Sequence, residues 1–281
     1  MKTVLLCGHR AYAARGLAEL LQGAGYRVLC FSRGEEARSG NVVTGNVLNV
    51  DLNPYLCEER IDIVINFIML KDGSAEDNIS YISALCRLAV NKHVEKFVHL
   101  SSISSYPNDA EVITDETEMD CNANLKGGYG ARKVVVDAYL MQQRDSANLP
   151  VILIRPGFIT AADHPNPLAG IVKVLFGNVA ILMGDRNSTL PLISRDEMHR
   201  NLLRVLEIQH PRNVYVLVSD GKSTKATYAK SVNANLKLIG LPQKLVIGIA
   251  IILKVLHLLD ERKLQMIRGQ FKVQLVVPSN L

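Results

Sequence analysis

Apolar residues fall into two rhythms along the first 156 positions. Short, nearly continuous runs rich in Val, Ile and Leu occur at Val4–Cys7, Arg27–Phe31, Ile61–Asn66, Lys96–Ser101 and Val151–Arg155, with a weaker one at Asn41–Thr44. Between them, at Ala14–Gln22, Asn78–Asn91 and Gly130–Arg144, apolar residues recur every three or four positions. A strand covered on both faces reads as an unbroken apolar run, whereas a helix lying on a sheet shows the 3.6-residue period. The alternation predicts βαβ units and an α/β fold. The expected architecture is a doubly wound parallel sheet that binds its ligands at the carboxyl ends of its strands.

Beyond Pro156 the rhythm changes. The turn residues His164–Pro167 lead into a predicted helix through Phe176. Further helices are expected at Asp196–Ile208, Lys225–Ile239 and, past the break Gly240-Leu241-Pro242, Leu245–Leu259, with a strand at Val214–Val218. Residues 1–160 are therefore expected to form the sheet domain. Residues 161–281 are expected to form mainly a smaller lobe, with some segments returning to the sheet.

Composition narrows the options. A chain of 281 residues, 48% of them hydrophobic, can bury a large core. Cysteines at 7, 30, 57, 86 and 121 include no C-x-x-C pair, which fits reduced thiols in a cytoplasmic protein with no metal centre. The net charge of +5 suits an anionic ligand. Its charges are scattered and Trp is absent, so no nucleic-acid partner is expected. The apolar N-terminal run stops at Gly8, too short for an export signal, and reads as a first strand. Leu245–Leu259 is shorter than the roughly 20 residues that span a bilayer.

The chemistry is concentrated in a few short motifs. In Tyr129-Gly130-Ala131-Arg132-Lys133 the Tyr and Lys lie four apart on one helix face, where an ammonium beneath a phenol would lower its pKa. Such a phenol can exchange a proton with an alcohol or carbonyl while a hydride moves. Upstream, a strand ends in Leu100-Ser101-Ser102-Ile103-Ser104-Ser105-Tyr106-Pro107; downstream, another ends in Leu153-Ile154-Arg155-Pro156-Gly157. A glycine turn after the first strand, V-x-L-S-S-x-x-S-Y-P, Y-G-x-x-K and I-L-I-R-P-G follow in that order. Together they resemble the extended short-chain dehydrogenase/reductases, Rossmann-type enzymes that include nucleotide-sugar epimerases, dehydratases and reductases. The resemblance implies Tyr129 as acid/base, Lys133 as holder of the nicotinamide ribose, Ser102 as the catalytic hydroxyl, and Asn78 as a structural residue at a helix start. It also places Phe67, Ile68, Pro156 and Gly157 at strand ends against the cofactor. Dimerisation through the two helices flanking the active-site sheet is a further expectation.

The chain departs from that pattern in informative places. The phosphate turn G-x-x-G-x-x-G reads Gly8-His9-Arg10-Ala11-Tyr12-Ala13-Ala14. Gly8, Ala11, Tyr12 and Ala13 remain the expected backbone contacts, and Arg10 a direct phosphate ligand. Ala11, however, adds a methyl group and resists positive φ. The second strand ends Ser32-Arg33, without the acidic residue that accepts bonds from a free ribose 2′-OH. Ser32 and Arg33 instead suit a 2′-phosphate, so NADP(H) is favoured over NAD(H). Asn46 replaces the Asp often found near the adenine in this family.

Ile103 and Ser104 stand where sugar 4,6-dehydratases carry an Asp-Glu pair, which argues against that subclass. The expected activity is reduction of a keto-sugar-like carbonyl, with Ser104, Arg186 and Arg268 as candidate substrate contacts. One alternative is a nucleotide-sugar or lipid-linked-sugar epimerase with bound NAD; the other is a non-catalytic dinucleotide-binding sensor or scaffold. Leu245–Leu259 is apolar on nearly every face and reads as a buried helix or a dimer contact. The competing reading is an interfacial helix for peripheral membrane contact, flanked by Arg262, Lys263, Arg268 and Lys272.

Overall fold

In the computed structural model every apolar run of the first half is a strand. The structure describes residues 1–164, 166–186, 188–219, 223–271 and 274–281, with the backbone alone at 125, 266, 269 and 270. The first half runs β1 (Thr3–Cys7), α1 (Leu17–Gly23), β2 (Arg27–Arg33), β3 (Ala37–Ser39), β4 (Val42–Gly45), α2 (Pro54–Cys57), β5 (Ile63–Asn66) and α3 (Ala75–Asn91). It continues through β6 (Lys96–Leu100), β7 (Val112–Ile113), α4 (Gly128–Ala147) and β8 (Val151–Pro156). The second half contributes β9 (Phe158–Thr160), β10 (Val172–Phe176), β11 (Val179–Leu182), β12 (Leu192–Ser194), α5 (Arg195–Glu207) and β13 (Val214–Leu217). It closes with α6 (Lys225–Val232), β14 (Lys237–Gly240), α7 (Gln243–Val255), α8 (Glu261–Gln270) and β15 (Leu275–Val276).

Eight strands form the main sheet in the order β13-β8-β6-β5-β1-β2-β4-β3, parallel except for the β3–β4 edge hairpin. The chain leaves β1 toward β2 on one side and returns through β5 on the other. Cys7 and Asn66 are therefore register neighbours at the carboxyl ends of the two central strands. A crevice opens where the strand order reverses. Both sheet faces are covered. Leu5, Leu29 and Val64 pack with α3 and α4 residues such as Leu85 and Leu140, and Val4, Leu6 and Ile65 with Leu17 of α1 and Met198 and Leu202 of α5.

Local signals set the helix that carries the crevice wall. Ser74 and Asp77 form a reciprocal capping box at the start of α3, an arrangement whose cap is typically worth about 1 kcal/mol. Four residues after Ser74, Asn78 donates to the carbonyls of Leu70 (3.0 Å) and Ser74 (2.8 Å) and accepts from the Leu70 N–H (3.0 Å). This buried amide closes the loop between β5 and α3.

Two of the helices expected in the second half are replaced or cut short. The helix expected through Phe176 is instead a hairpin, β10–β11. Val172, Val174 and Val179 favour strands, and Gly177-Asn178 supplies a two-residue turn with Gly177 at φ +51°. The break at His164–Pro167 includes Pro165, outside the described residues. The helix expected to Ile239 ends at Val232, because Asn233 leaves the helical conformation at φ −146°. Residues 237–240 then add β14 alongside β11. In the first half, α1 starts at Leu17 and not at Ala14, since Gly16 adopts φ +85° immediately before it. β13 and α5 return to the main sheet, while Ile171, Leu182, Leu190, Tyr228 and Leu236 form a small separate core.

Between β8 and β9 the backbone passes so close to Pro191 that only glycine fits. A Cβ on Gly157 would lie 2.2 Å from the Pro191 carbonyl oxygen. Gly157→Ala is expected to cost about 3 kcal/mol or more of unfolding free energy, read from the urea midpoint. An unchanged midpoint would mean that this crossing is not formed.

Candidate functional site

Gly8 follows β1 with φ +82°, and a Cβ there would meet Ile68 Cγ1 at 2.9 Å and Ile68 N at 3.1 Å. The floor of the crevice is thus two backbones in contact. Ile68 is held in turn by its N–H donating to Asn66 Oδ1 at 3.0 Å. A cleft of about 570 Å³ extends from this point over Ser32, Arg33, Asn46, Val47, Ile68 and Met69 to Lys71 and Asp77. Asn46 Oδ1 accepts from the Leu48 N–H at 3.0 Å and so shapes the cleft wall. The Ser32 hydroxyl is buried at the cleft with no hydrogen-bond partner.

The turn after Gly8 solves the missing glycines differently from expectation. Ala11 sits at φ −61°, ψ 143°, ordinary extended backbone, and its N–H bonds the Gly8 carbonyl at 2.8 Å. The positive φ that Ala11 would resist is not required of it, because Gly8 and Gly16 take those conformations. A single 3-10 turn, Tyr12–Ala14, replaces the start of an α-helix. Tyr12 turns toward the second half of the chain. Its hydroxyl donates to the Ile159 carbonyl at 3.3 Å, and Arg195 lies over its ring at 5.4 Å. The His199 ring meets the Ala13 carbonyl at 2.7 Å. Arg10 is exposed at the start of this turn.

The second cluster lies at the carboxyl ends of β6 and β8. Tyr129 and Lys133 are in the first turns of α4, with Lys133 Nζ 6.0 Å from the Tyr129 ring centroid. Lys133 is buried and donates to the Leu100 carbonyl. Ser102 begins a short 3-10 turn by accepting from the Ser104 N–H at 3.1 Å, and its hydroxyl also interacts with the Tyr129 phenol. Ser104 Oγ is buried nearby without a partner. Arg268 lies on α8, which packs against Ala123–Leu125 just ahead of α4. Arg186 is exposed in the second half, between β11 and β12.

The electrostatics revise one expectation. The spacing predicts a Tyr129 pKa lowered by Lys133; desolvation around the hydroxyl instead raises it, the Ser102 hydroxyl offsetting that only in part, while the residue stays 48% exposed. The ammonium is committed to the Leu100 carbonyl, not to the phenol. Lys133 itself is pushed down to about 8 by burial, against a smaller opposing effect of Asp137.

Two residues beneath this pair escaped the sequence reading. Asp137, one helical turn beyond Lys133, is fully buried and accepts from Ser101 Oγ (2.6 Å) and from Arg155 Nη2 (3.1 Å). Burial raises its pKa and Arg155 counters the rise. The i, i+4, i+8 series Tyr129, Lys133, Asp137 on one helix face was the available signal. His99 is buried too, with Nδ1 3.0 Å from the Asn66 amide and no partner for Nε2. No periodicity marks it.

A model of the NAD dependent epimerase/dehydratase family matches residues 4–217. The chain belongs to that family. Among curated proteins none matches. Solved structures share the fold. The crystal structure of gox2253 is 15% identical, with a TM-score of 0.74 over 98% of this chain and 90% of that one. The terminal R domain of the myxalamid PKS-NRPS biosynthetic pathway is 20% identical, with a TM-score of 0.70 over 100% and 83% of the two chains. UDP-glucuronic acid 4-epimerase from Bacillus cereus in complex with NAD is 14% identical, with a TM-score of 0.65 over 85% and 87%. As an epimerase/dehydratase-family member the chain is an enzyme with an NAD-type cofactor. The close approach at Gly8 and the unpartnered Ser32 hydroxyl fit such a ligand.

Because Lys133 is costly to protonate when buried, the folded chain releases that proton near pH 8 while the unfolded chain keeps it to about 10.5. Stability attributable to this residue therefore rises between those limits. Wild type is expected to gain roughly 3 kcal/mol relative to Lys133→Met from pH 8 to 10.5, measured by urea unfolding at each pH. Parallel pH profiles would refute the buried, depressed lysine.

Proposed function

We propose that this enzyme is an NADP(H)-dependent reductase acting on a carbonyl of a sugar-like substrate, with Tyr129, Ser102 and Lys133 at the reacting centre. The observation that carries the reading is the end of β2. There Ser32, whose buried hydroxyl has no partner, lines the cleft beside Arg33, and no carboxylate stands in either position. A carboxylate would accept bonds from a free ribose 2′-OH and repel a 2′-phosphate; a hydroxyl and a guanidinium do the reverse. Gly8, Asn46 and Ile68 would line the adenosine half of the cofactor. Arg10 and the backbone of Ala11, Tyr12 and Ala13 would serve its phosphates, and Phe67, Pro156 and Gly157 the nicotinamide end.

Once bound, the cofactor would supply the hydride. The protein would manage the proton. Ser102 and Tyr129 would offer hydrogen bonds to a carbonyl oxygen, and a phenol keeps its proton at neutral pH and so has one to donate. Lys133 would bond the ribose hydroxyls, releasing part of its hold on the Leu100 carbonyl. Ser104, Arg186 and Arg268 are the proposed substrate contacts. A sugar epimerase with bound NAD is the second reading. It is favoured by the family match and by the UDP-sugar epimerase among the solved structures of the same fold.

The chain lacks Trp, so the emission of reduced nicotinamide can be titrated against little protein background. NADPH is expected to bind more tightly than NADH, and Arg33→Ala to weaken NADPH by about tenfold while leaving NADH within about twofold. Tighter NADH binding, or NAD that co-purifies, would transfer the assignment to the epimerase. Tyr129→Phe is expected to lower keto-sugar reduction by a factor of about 100 or more with NADPH affinity unchanged. Full activity in that variant would remove Tyr129 from the chemistry.

A further inference from the structure

From the exposed face of α7 together with the charge around it, we infer that this enzyme docks on anionic lipid bilayers through the α7–α8 hairpin. The helix read as buried or as a dimer contact is not buried within the chain. Of its thirteen residues only Ala250 is buried, and α7 packs chiefly against α8. Leu245, Ile249, Ile252 and Leu256, at i, i+4, i+7 and i+11, form one exposed stripe, with Ile251 and Val255 beside it. Ile252 is 60% and Val255 71% exposed. An aliphatic arc covering about half a helix is far more than scattered surface hydrophobics account for.

Charge identifies the occupant. Residues 237–272 contain seven Lys and Arg against one Asp and one Glu, a net +5 that equals the charge of the whole chain; the other residues balance to zero. Lys244, Lys254, Arg262 and Lys263 are exposed around the apolar arc. Lys272, counted in that sum, lies outside the described residues. Two copies meeting through this face would bring +5 against +5. A protein interface would be expected to carry aromatic anchors, and α7 has none. An anionic bilayer accepts both features, because aliphatic side chains enter the acyl boundary while Lys and Arg meet the headgroups. No helix among the described residues is long and apolar enough to cross a membrane, so the contact is peripheral. Since α8 also packs on Ala123–Leu125, the docked hairpin would hold the turn before Tyr129 close to the lipid surface. This inference does not depend on the proposed reaction.

The test is flotation of the intact protein with vesicles of phosphatidylcholine and phosphatidylglycerol at 3:1, and with phosphatidylcholine alone. Binding is expected to the anionic vesicles, at least tenfold weaker on pure phosphatidylcholine and again at least tenfold weaker in 0.5 M NaCl. Ile252→Glu is expected to lower binding at least tenfold at an unchanged melting temperature, since the side chain is exposed. Lys244→Glu with Lys263→Glu is expected to act in the same direction. Absence of vesicle binding, or binding that Ile252→Glu leaves intact, overturns the proposal. So does a dimer, seen by light scattering, that Ile252→Glu dissociates while vesicles fail to bind.

Discussion

The end of the fold that carries Tyr129 and Lys133 hangs on one buried carboxylate. Asp137 lies on α4 with no exposed surface, and its Oδ2 gathers the Ser101 hydroxyl from the end of β6 and the Arg155 guanidinium from β8. Arg155 also lies over the Tyr106 ring at 4.5 Å. One side chain thus ties the helix carrying Tyr129 and Lys133 to the two strands whose carboxyl ends face them. Breaking a buried pair of this kind typically costs about 3–5 kcal/mol, because the surviving charge is left without a partner. The same low-dielectric surroundings lower the Lys133 pKa, so the structural link and the buried lysine share one environment, while Tyr129 stays about half exposed at its edge.

The opposite end of the crevice depends on a different economy of contacts. Where the family's turn has three glycines this chain keeps one, and the backbone adapts with a 3-10 turn that places Ala11 in relaxed geometry. That turn is anchored from the second half of the chain. Tyr12 reaches Ile159, His199 meets Ala13, and Arg195 bonds the Tyr12 carbonyl at 3.3 Å while pairing with Asp163 at 2.8 Å. The alanines are accommodated because distant residues hold the loop, a constraint that propensity in the turn itself could not reveal.

Legibility followed burial. Strands covered on both faces left unbroken apolar runs, and helices packed on the sheet left a clear period, so β1, β2, β5, β6, β8, α3, α4 and α5 were readable to within a few residues. The small lobe was not. Its strands β10 and β14 lie at the edges of a three-stranded sheet, with exposed residues such as Leu175 and Ile239, and give no alternation to distinguish strand from helix. Their conformations depend on pairing with β11, which β10 meets through the short Gly177-Asn178 turn and β14 only from a position far along the chain.

By itself the sequence determined which segments are covered on two sides, where the chain must turn, and that Tyr129 and Lys133 share a helix face, because these follow from periodicity and spacing along the backbone; the Ser102 hydroxyl joined them only through the family resemblance. Only the tertiary structure decided what each of those groups is free to do. It committed Lys133 to the Leu100 carbonyl, left the Ser32 hydroxyl buried at the cleft wall without a partner, and turned the apolar side of α7 outward. The reason is physical: a group's charge state and partners depend on the distance and burial of residues that may be a hundred positions away, which local pattern does not encode.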